Sequence, residues 1–447
     1  MIDEEWFYDE PLKLSDEEFT EFIYLEEETT QQWQRCSLGV LSSLRDTVLK
    51  LLLCSILKRF LVFLHTKGKV SESMLHLSFT ASGLFVLGTQ NNFLLSICVY
   101  IALIAVLPYY KFRFNNQTKL MVLLYSTGMI LIWQYFLTAE EFMSVRGILM
   151  IILMKIISLS FDLINELYEV TLLHLLSYVF DGSTVLFGPW ITYNQYQDSL
   201  HLKELKVEIA NCFRALSYVV LSLLAVIYSS CITDSFTEWP YIGAYFVAQS
   251  FRFSHYFVSW FSAGTSLLSG VDSGIVADFI HIELPRSLVD VVVSWNIPMH
   301  RFLRQYIFGE IKKYGSAPAI FFTYIMSSLF HGINFQVSAV LLSLGLYTYA
   351  ETRLRSKLSY VTDSCVRARK CGRECHHTWN ENALSTLAVN MVFQILAVVH
   401  LVYLGMAFDD TTAEIGYSWR HTLSVWADSY YFSHVIGFLT LLLSFAL

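Results

Sequence analysis

The chain has 447 residues, of which 55% are hydrophobic, 16% aromatic and only 15% charged. A soluble domain carries about a quarter charged residues, so a water-soluble globular protein is excluded and a polytopic membrane protein, with rings anchoring helices at the headgroups, is indicated. The net charge of −8 is local: residues 1–28 hold twelve acids and one base, Lys13, leaving 29 bases against 26 acids in the rest.

From the N-terminus, residues 1–35 read as an acidic, flexible tail that cannot bury much surface, and residues 36–447 as one multi-pass membrane domain. Met1-Ile-Asp-Glu-Glu offers neither the basic region nor the apolar core of a cleaved signal, so an internal helix is expected to direct insertion. Windows long enough to cross a ~30 Å hydrocarbon core lie near 93–109, 119–137, 147–165, 209–229, 317–336, 384–408 and 431–447. Weaker ones lie near 46–64, 73–89, 171–190, 241–262 and 336–350. The pattern predicts an all-α fold of roughly eleven transmembrane or re-entrant helices. No period of roughly 20–50 residues repeats, which excludes a solenoid.

Charge in the connections suggests an orientation. The link Lys111-Phe-Arg113-Phe-Asn-Asn-Gln-Thr-Lys119 is basic, and the segment from Arg353 to Arg373 holds seven bases against Asp363. Both are expected in the cytosol by the positive-inside rule, with the acidic turn Asp409-Asp410-Thr-Thr-Ala-Glu414 in the lumen. Asn116-Gln-Thr118 has the glycosylation spacing, but its basic flanks argue against lumenal exposure. Between the helices near 250 and 320, Leu303, Ile307, Ile311 and Tyr314 fall on one helical face and Arg301, Arg304 and Lys312 toward the other. Such a basic amphipathic helix lies in the interface plane, where it could meet an anionic headgroup or the phosphates of an acyl carrier.

Eight cysteines are scattered, with Cys54, Cys98 and Cys231 in apolar runs, where thiols behave as small hydrophobes; no extracellular disulfide framework is indicated. Cys365, Cys371 and Cys375, followed by His376-His377, resemble a metal constellation, but their spacing is not one of the usual zinc signatures. Structural or lipid-modified thiols are the favoured reading, and no metal ligand is assigned.

One histidine, His331, sits inside the apolar stretch 317–335. An ionisable ring at that depth is a functional-site hypothesis by default. Helical spacing puts Ser327 and Ser328 one turn before it, Tyr324 two turns before, and Asn334 about a turn after. Thirty-five residues earlier, Asn296 lies in Ser294-Trp-Asn-Ile-Pro-Met-His300. A buried amide and a buried imidazole with few acids nearby point to proton transfer rather than ion binding, although a lone histidine in an apolar helix is more often structural. A transporter with a midplane His and Asn is the rival from another class, but matching halves with interrupted helices are not seen. Histidine boxes of iron-dependent desaturases, a P-loop, a Gly-x-Ser-x-Gly elbow and a Rossmann fingerprint are all lacking.

The Asn296 segment followed by Leu329-Phe-His331-Gly resembles the Asn and His signatures of the membrane-bound O-acyltransferases. Further runs resemble the branch of that family that acylates secreted Wnt proteins. They are Val145-Arg-Gly, Met154-Lys-Ile-Ile-Ser-Leu-Ser-Phe-Asp162, Phe187-Gly-Pro-Trp-Ile191, Phe253-Ser-His-Tyr-Phe-Val258, Ile282-Glu-Leu-Pro-Arg-Ser287 and Asp409-Asp-Thr-Thr-Ala-Glu-Ile-Gly-Tyr417. The resemblance covers roughly residues 145–430. It implies helices around an intramembrane catalytic cavity in the endoplasmic reticulum membrane, His331 as the base toward a serine hydroxyl, and Asn296 positioning the thioester. By the same similarity Trp295, Tyr306, Tyr324 and Ser327 line the cavity. Palmitoleoyl-CoA would be the acyl donor and Wnt proteins the acceptors, with membrane lipids as surroundings, no permanently bound cofactor and no nucleic acid. A family member acting on a lipid or sterol hydroxyl remains the alternative within the resemblance.

Overall fold

The computed structural model describes residues 16–90, 116–165, 170–232, 240–372, 375–408 and 418–447. Its helices, in chain order, are α1 (Asp16–Thr66), α2 (Glu72–Gln90), α3 (Asn116–Phe136), α4 (Ala139–Asn165), α5 (Leu172–Val179), α6 (Tyr193–Asp198), α7 (Leu205–Cys231) and α8 (Pro240–Leu268). There follow α9 (Phe279–Glu283), α10 (Leu288–Trp295), α11 (Ile297–Phe302), α12 (Ser316–Phe330), α13 (Phe335–Val361), α14 (Leu384–Gly405), α15 (Trp419–Asp428) and α16 (Phe432–Ala446). Among the described residues the only β pairing is an isolated bridge between Ser364 and Trp379. The fold is all-α.

Among the described residues four helices, parts of α3 and α4 and all of α7 and α14, are long and apolar enough to cross a membrane, and α15 with α16, bent by 78°, passes the same test together as a broken span or a re-entrant loop. The expected spans near 46–64, 73–89 and 241–262 fall on α1, α2 and α8, whereas α1 itself begins at Asp16, inside the segment read as a tail. The span near 93–109, most of the basic link at 111–119 and the acidic turn at 409–414 lie outside the described residues.

Two expected spans are different objects. The window at 171–190 holds only the short α5, after which the chain runs irregularly through Phe180–Ile191, because Asp181-Gly-Ser and Gly188-Pro189 break the helix. The window at 317–336 is interrupted: α12 ends at Phe330, His331 caps it, and α13 starts anew at Phe335 and runs on to Val361. The amphipathic segment at 301–314 is helical in pieces, with a π-helical turn over Leu303–Phe308. Leu303 and Ile307 are buried as expected, but Tyr314 is exposed.

The second half of α4 is buried at every residue from Ile151 to Phe161, with Ile152, Leu153 and Ile157 inaccessible, the pattern of a helix surrounded by others. By contrast α7 buries Ala215, Ser222, Ala225 and Ser229 against α8 and leaves Phe213, Leu216 and Leu224 outside. Small residues inside and large apolar ones outside are what packing in lipid selects. Ser229 and Ser250 close the α7–α8 contact reciprocally, each hydroxyl donating to the other's carbonyl at 2.8 and 2.7 Å.

Cys36 and Cys231 form a disulfide between α1 and the end of α7. Cys54 stays a free buried thiol, as expected of a small hydrophobe, but Cys231 does not. Sequence reading missed the pair because 195 residues separate its members. The disulfide marks one end of the molecule. Ser229 bonds Ser250 in α8, a residue beside Ala248, which packs on Gly405 at the end of α14. Gln336 at the start of α13 donates to Ala407 at the same end. The other ends of α13 and α14 meet the basic loop, where Asn390 donates to the Cys365 carbonyl at 3.3 Å.

That meeting is organised by Arg355, which is fully buried. Its guanidinium donates to the carbonyls of Val366 (2.7 Å), Arg286 (2.8 Å) and Arg367 (3.2 Å), to Glu351 (2.8 Å) and to Asn390 (2.7 Å). Five N–H groups thus serve five acceptors on four segments, a fork that lysine cannot reproduce. Arg355→Met should cost about 3–5 kcal/mol by leaving Glu351 buried without its countercharge. The loss should appear as a lower melting temperature in detergent, and an unchanged melt would refute this role.

Candidate active site

A cavity of about 1840 Å³ runs between the helices, lined by Trp295, Asn296, Tyr324, Ser327 and His331 together. At the disulfide end its wall includes Ser229, Ala248 and Gly405; at the other end it includes Arg367, Arg369, Lys370 and His377. The cavity therefore joins the two ends of the molecule, and the Asn and His singled out from sequence share it.

Asn296 is held by the backbone. It is the N-cap of α11, with Pro298 in the first turn, and its Oδ1 accepts the Met299 N–H at 3.0 Å. This bond fixes the orientation of the amide, since the reverse flip would face two donors. The Nδ2 donors are thereby left for the cavity, with no acceptor among the described residues. Trp295 precedes it, and its carbonyl contacts His255 Nε2 at 2.7 Å while the two rings stack with centroids 4.5 Å apart.

His331 sits in the break between α12 and α13. Its backbone N–H caps α12 through the Ser328 carbonyl at 3.0 Å, while its imidazole makes no hydrogen bond among the described residues. The turn that follows is pinned by Gln134 of α3. The Gln134 amide accepts the Ile333 N–H at 2.6 Å and donates to the Ile333 carbonyl at 2.8 Å. Gly332 has φ +81°, and a Cβ there would come within 2.7 Å of the Phe142 ring. Asn334 also lines the cavity, but as the N-cap of α13, accepting the Val337 N–H at 3.1 Å, not as the next turn of one helix.

Of the other expected residues, Tyr324 lies on the wall with its ring against Gly345, where a Cβ would come within 3.1 Å. Ser327 is on the wall too, whereas Ser328 turns away to Ser338 at 2.5 Å. Tyr306 is not on the wall: the π-helical turn directs it behind, where its hydroxyl donates to Asp162 at 2.9 Å and its ring packs on Phe161, Trp190 and Phe302. Sequence reading met His255 and Arg146 only within family-like runs and gave them no role; both lie on the cavity wall. The signal for His255 was the one used for His331, a titratable ring inside an apolar span.

At the basic end the wall carries His300 and Arg304 beside Arg367, Arg369 and Lys370, with Asp363 as the acid. The Asp363 carboxyl is held below the usual carboxylate range, first by the Thr378 hydroxyl and then by its backbone N–H. The field at that mouth is net positive and suits an anion.

The turn after His331 is testable without an activity assay. Gly332→Ala forces an alanine into left-handed backbone, a strain on the order of 1–3 kcal/mol, and pushes on Phe142. We expect a lower melting temperature; a melt equal to wild type would mean that the turn is not built as described.

Residues 93–364 match the model of the membrane-bound O-acyltransferase family. The chain is 33% identical over 338 residues to the human "Protein-serine O-palmitoleoyltransferase porcupine", spanning 66% of this chain and 71% of that protein. It is 30% identical over 333 residues to the protein of that name from Anopheles gambiae (66% and 67% of the two chains). The Drosophila melanogaster one is 31% identical over 350 residues (70% and 66%). With the family model matched over more than half its length, this chain belongs to the membrane-bound O-acyltransferases and is an O-acyltransferase.

Proposed function

We propose that this protein transfers a palmitoleoyl group from palmitoleoyl-CoA to a serine hydroxyl of a secreted Wnt protein, within the endoplasmic reticulum membrane. The observation that carries the reading is the single cavity that holds both His331 and Asn296 and joins a basic end to a disulfide-bonded end. The palmitoleoyl and serine specificity rests on the relatives' names.

Orientation follows from two independent physical arguments. Lysine and arginine concentrate on the cytosolic side, which places the mouth at Arg367–Lys370 there. Disulfides persist in oxidising compartments, which places Cys36–Cys231 in the lumen. The two assignments agree. Acyl-CoA is made water-soluble by its phosphates and adenosine, so it enters at the cationic mouth and extends its acyl chain into the cavity, while the acceptor serine arrives from the lumen.

At the meeting point His331 takes the serine proton as the oxygen attacks the thioester carbonyl. The carbonyl oxygen gains negative charge, which the Nδ2 donors of Asn296 stabilise. Collapse breaks the C–S bond, and coenzyme A leaves as a thiolate that recovers the proton from His331. Trp295, Tyr324 and Ser327 shape the wall along which the chain lies, and Tyr306 supports that wall from behind through Asp162. The direct test is incubation of the purified protein with palmitoleoyl-CoA and a Wnt serine-hairpin peptide, with mass spectrometry for the ester. Its absence under conditions where the protein binds acyl-CoA overturns the reading.

His331→Ala removes the base, whose loss typically costs about 10²–10⁴ in rate. Since the ring holds no hydrogen bond among the described residues, the melting temperature should stay at the wild-type value. Turnover within a factor of about two of wild type would exclude His331 as the base, given the size of effect expected for one.

Asn296 gives a finer test, because its two amide atoms have separate duties. Asn296→Asp keeps the oxygen that caps α11 and loses the donor, so stability should hold while kcat falls by about 10²–10³, as for loss of one oxyanion donor. Asn296→Ala loses both, and should also cost about 1 kcal/mol of stability through the missing cap. Equal kcat in wild type and Asn296→Asp, measured across several pH values to catch a protonated Asp, would remove the amide from the chemistry.

A further inference from the structure

The cytosolic mouth carries a cluster that acyl transfer does not use. The sulfurs of Cys365, Cys371 and Cys375 and Nδ1 of His377 all lie within 4.8 Å of one another. Cys375 Sγ is 2.8 Å from Nδ1, Cys365 and Cys371 are each 3.6 Å from it, and the Cys365 and Cys375 sulfurs are 3.2 Å apart. Three sulfurs and one imidazole nitrogen about a common point are the donor set of a closed Cys3His zinc site, where ligands at about 2.0–2.3 Å from the ion are separated by a little under 4 Å. Hydrogen bonding alone gives no reason to gather three weak S–H donors on one nitrogen.

The frame around the cluster is built independently of it. Cys365 N–H donates to the Trp379 carbonyl at 2.9 Å and Trp379 N–H to the Asp363 carbonyl at 3.1 Å, which closes the loop and brings the Cys365 and His377 ends together. Arg286 donates to the Cys365 carbonyl at 2.8 Å, and Arg355 holds the next two carbonyls. Ser359 then sets the histidine tautomer. Its hydroxyl donates to the Ser364 carbonyl at 2.6 Å, so toward His377 Nε2, 3.3 Å away, it acts as acceptor. The proton therefore sits on Nε2 and the Nδ1 lone pair faces the sulfurs, the outer-shell arrangement that orients metal-bound histidines.

We propose that Cys365, Cys371, Cys375 and His377 bind one Zn²⁺ as a structural site that fixes the basic loop over the cavity mouth. The sequence reading had favoured structural or lipid-modified thiols, because it paired the cysteines with both histidines and found no familiar interval. The structure selects His377 over His376, and Cys371-x3-Cys375 is an ordinary interval once Cys365 arrives from the far side of the loop. Soft thiolates select zinc over magnesium or calcium. Binding releases three thiol protons to solvent with no change of oxidation state. The resulting net charge of the site, −1, is met by Arg367, Arg369 and Lys370 on the same loop. Four protein ligands leave no position for substrate, so the ion takes no part in the acyl transfer and the proposal stands whether or not that reaction is the right one.

The test is the metal content of the full-length protein, purified in detergent from cells grown with zinc and quantified by mass spectrometry. One zinc per chain is expected, falling to background in Cys371→Ser and His377→Ala and unchanged in Cys212→Ser, whose thiol lies exposed in α7. Should the ligand variants aggregate, wild-type protein decides alone. Its Cys365, Cys371 and Cys375 should resist alkylation until a chelator is added, and cobalt supplied after the chelator should give the absorption bands of a tetrahedral thiolate site. Wild-type protein without zinc, or peptide mapping that finds these cysteines acylated or Cys365 joined to Cys375, overturns the proposal.

Discussion

In hydrocarbon no water is available for a broken helix, so each non-helical stretch must find its hydrogen bonds within the protein or line a cavity. Several breaks among the described residues are met by polar side chains, most of them buried. Lys155, fully buried in α4, donates to the carbonyls of Tyr178 (2.9 Å) and Val179 (3.4 Å) and to Thr184 (2.9 Å) where α5 stops. Asp181 in that break takes the Ser183 N–H at 3.0 Å and is paired with Lys58. Glu351 accepts the Leu288 N–H at 2.8 Å where α10 begins, Gln134 serves Ile333, and Gln336 serves Ala407. The cavity exists because the helices stop there, and they can stop because these side chains replace the missing turns. An ion pair buried for stability alone is a poor bargain; here the charges have backbone to hold.

The same constraint explains what was legible in the sequence. Apolar windows report transfer free energy, so the crossings at 119–137, 147–165, 209–229 and 384–408 were visible without any fold. His331 was visible because a polar group in such a window is costly, and Asn296, outside any such window, because its segment resembles the family's Asn signature. Breaks were not, since Phe330-His331-Gly332 and Asp181-Gly182-Ser183 read as helix or short turn until a distant Lys155 or Gln134 is seen to satisfy them. The disulfide failed for a related reason: pairing over 195 residues is set by how α1 and α7 pack, not by local spacing. Tyr306 was assigned to the wall by resemblance and not by any helical pattern; it lies in the π-helical turn over Leu303–Phe308, and its hydroxyl reaches Asp162 behind the wall.

Charge and redox chemistry divide the molecule along the same line. The disulfide lies at one end and the free thiols Cys365, Cys371 and Cys375 at the other, together with the basic loop. Neither distribution depends on the other: basic side chains respond to the insertion machinery and membrane potential, thiols to the local reductant. Their agreement gives the bundle a direction that composition alone did not supply.

That direction sharpens the chemistry proposed for the cavity. A thioester with a phosphorylated, water-soluble handle and a folded secreted acceptor cannot use one entrance, because the first to bind would block the second. A cavity with distinct ends lets each approach from its own compartment, and the reacting atoms then meet where helices terminate. Termini are useful there because a capping side chain has a backbone bond fixing one of its atoms. Asn296 commits its oxygen to the Met299 N–H and so presents its donors in one orientation; Asn334 does the same at the start of α13. His331 is likewise placed by backbone, through its own capping N–H and the Gln134 clamp on the next turn, and its imidazole makes no hydrogen bond among the described residues. Holding the proposed catalytic groups by main chain and leaving their reactive atoms unbonded would give preorganisation without occupying the atoms that must react.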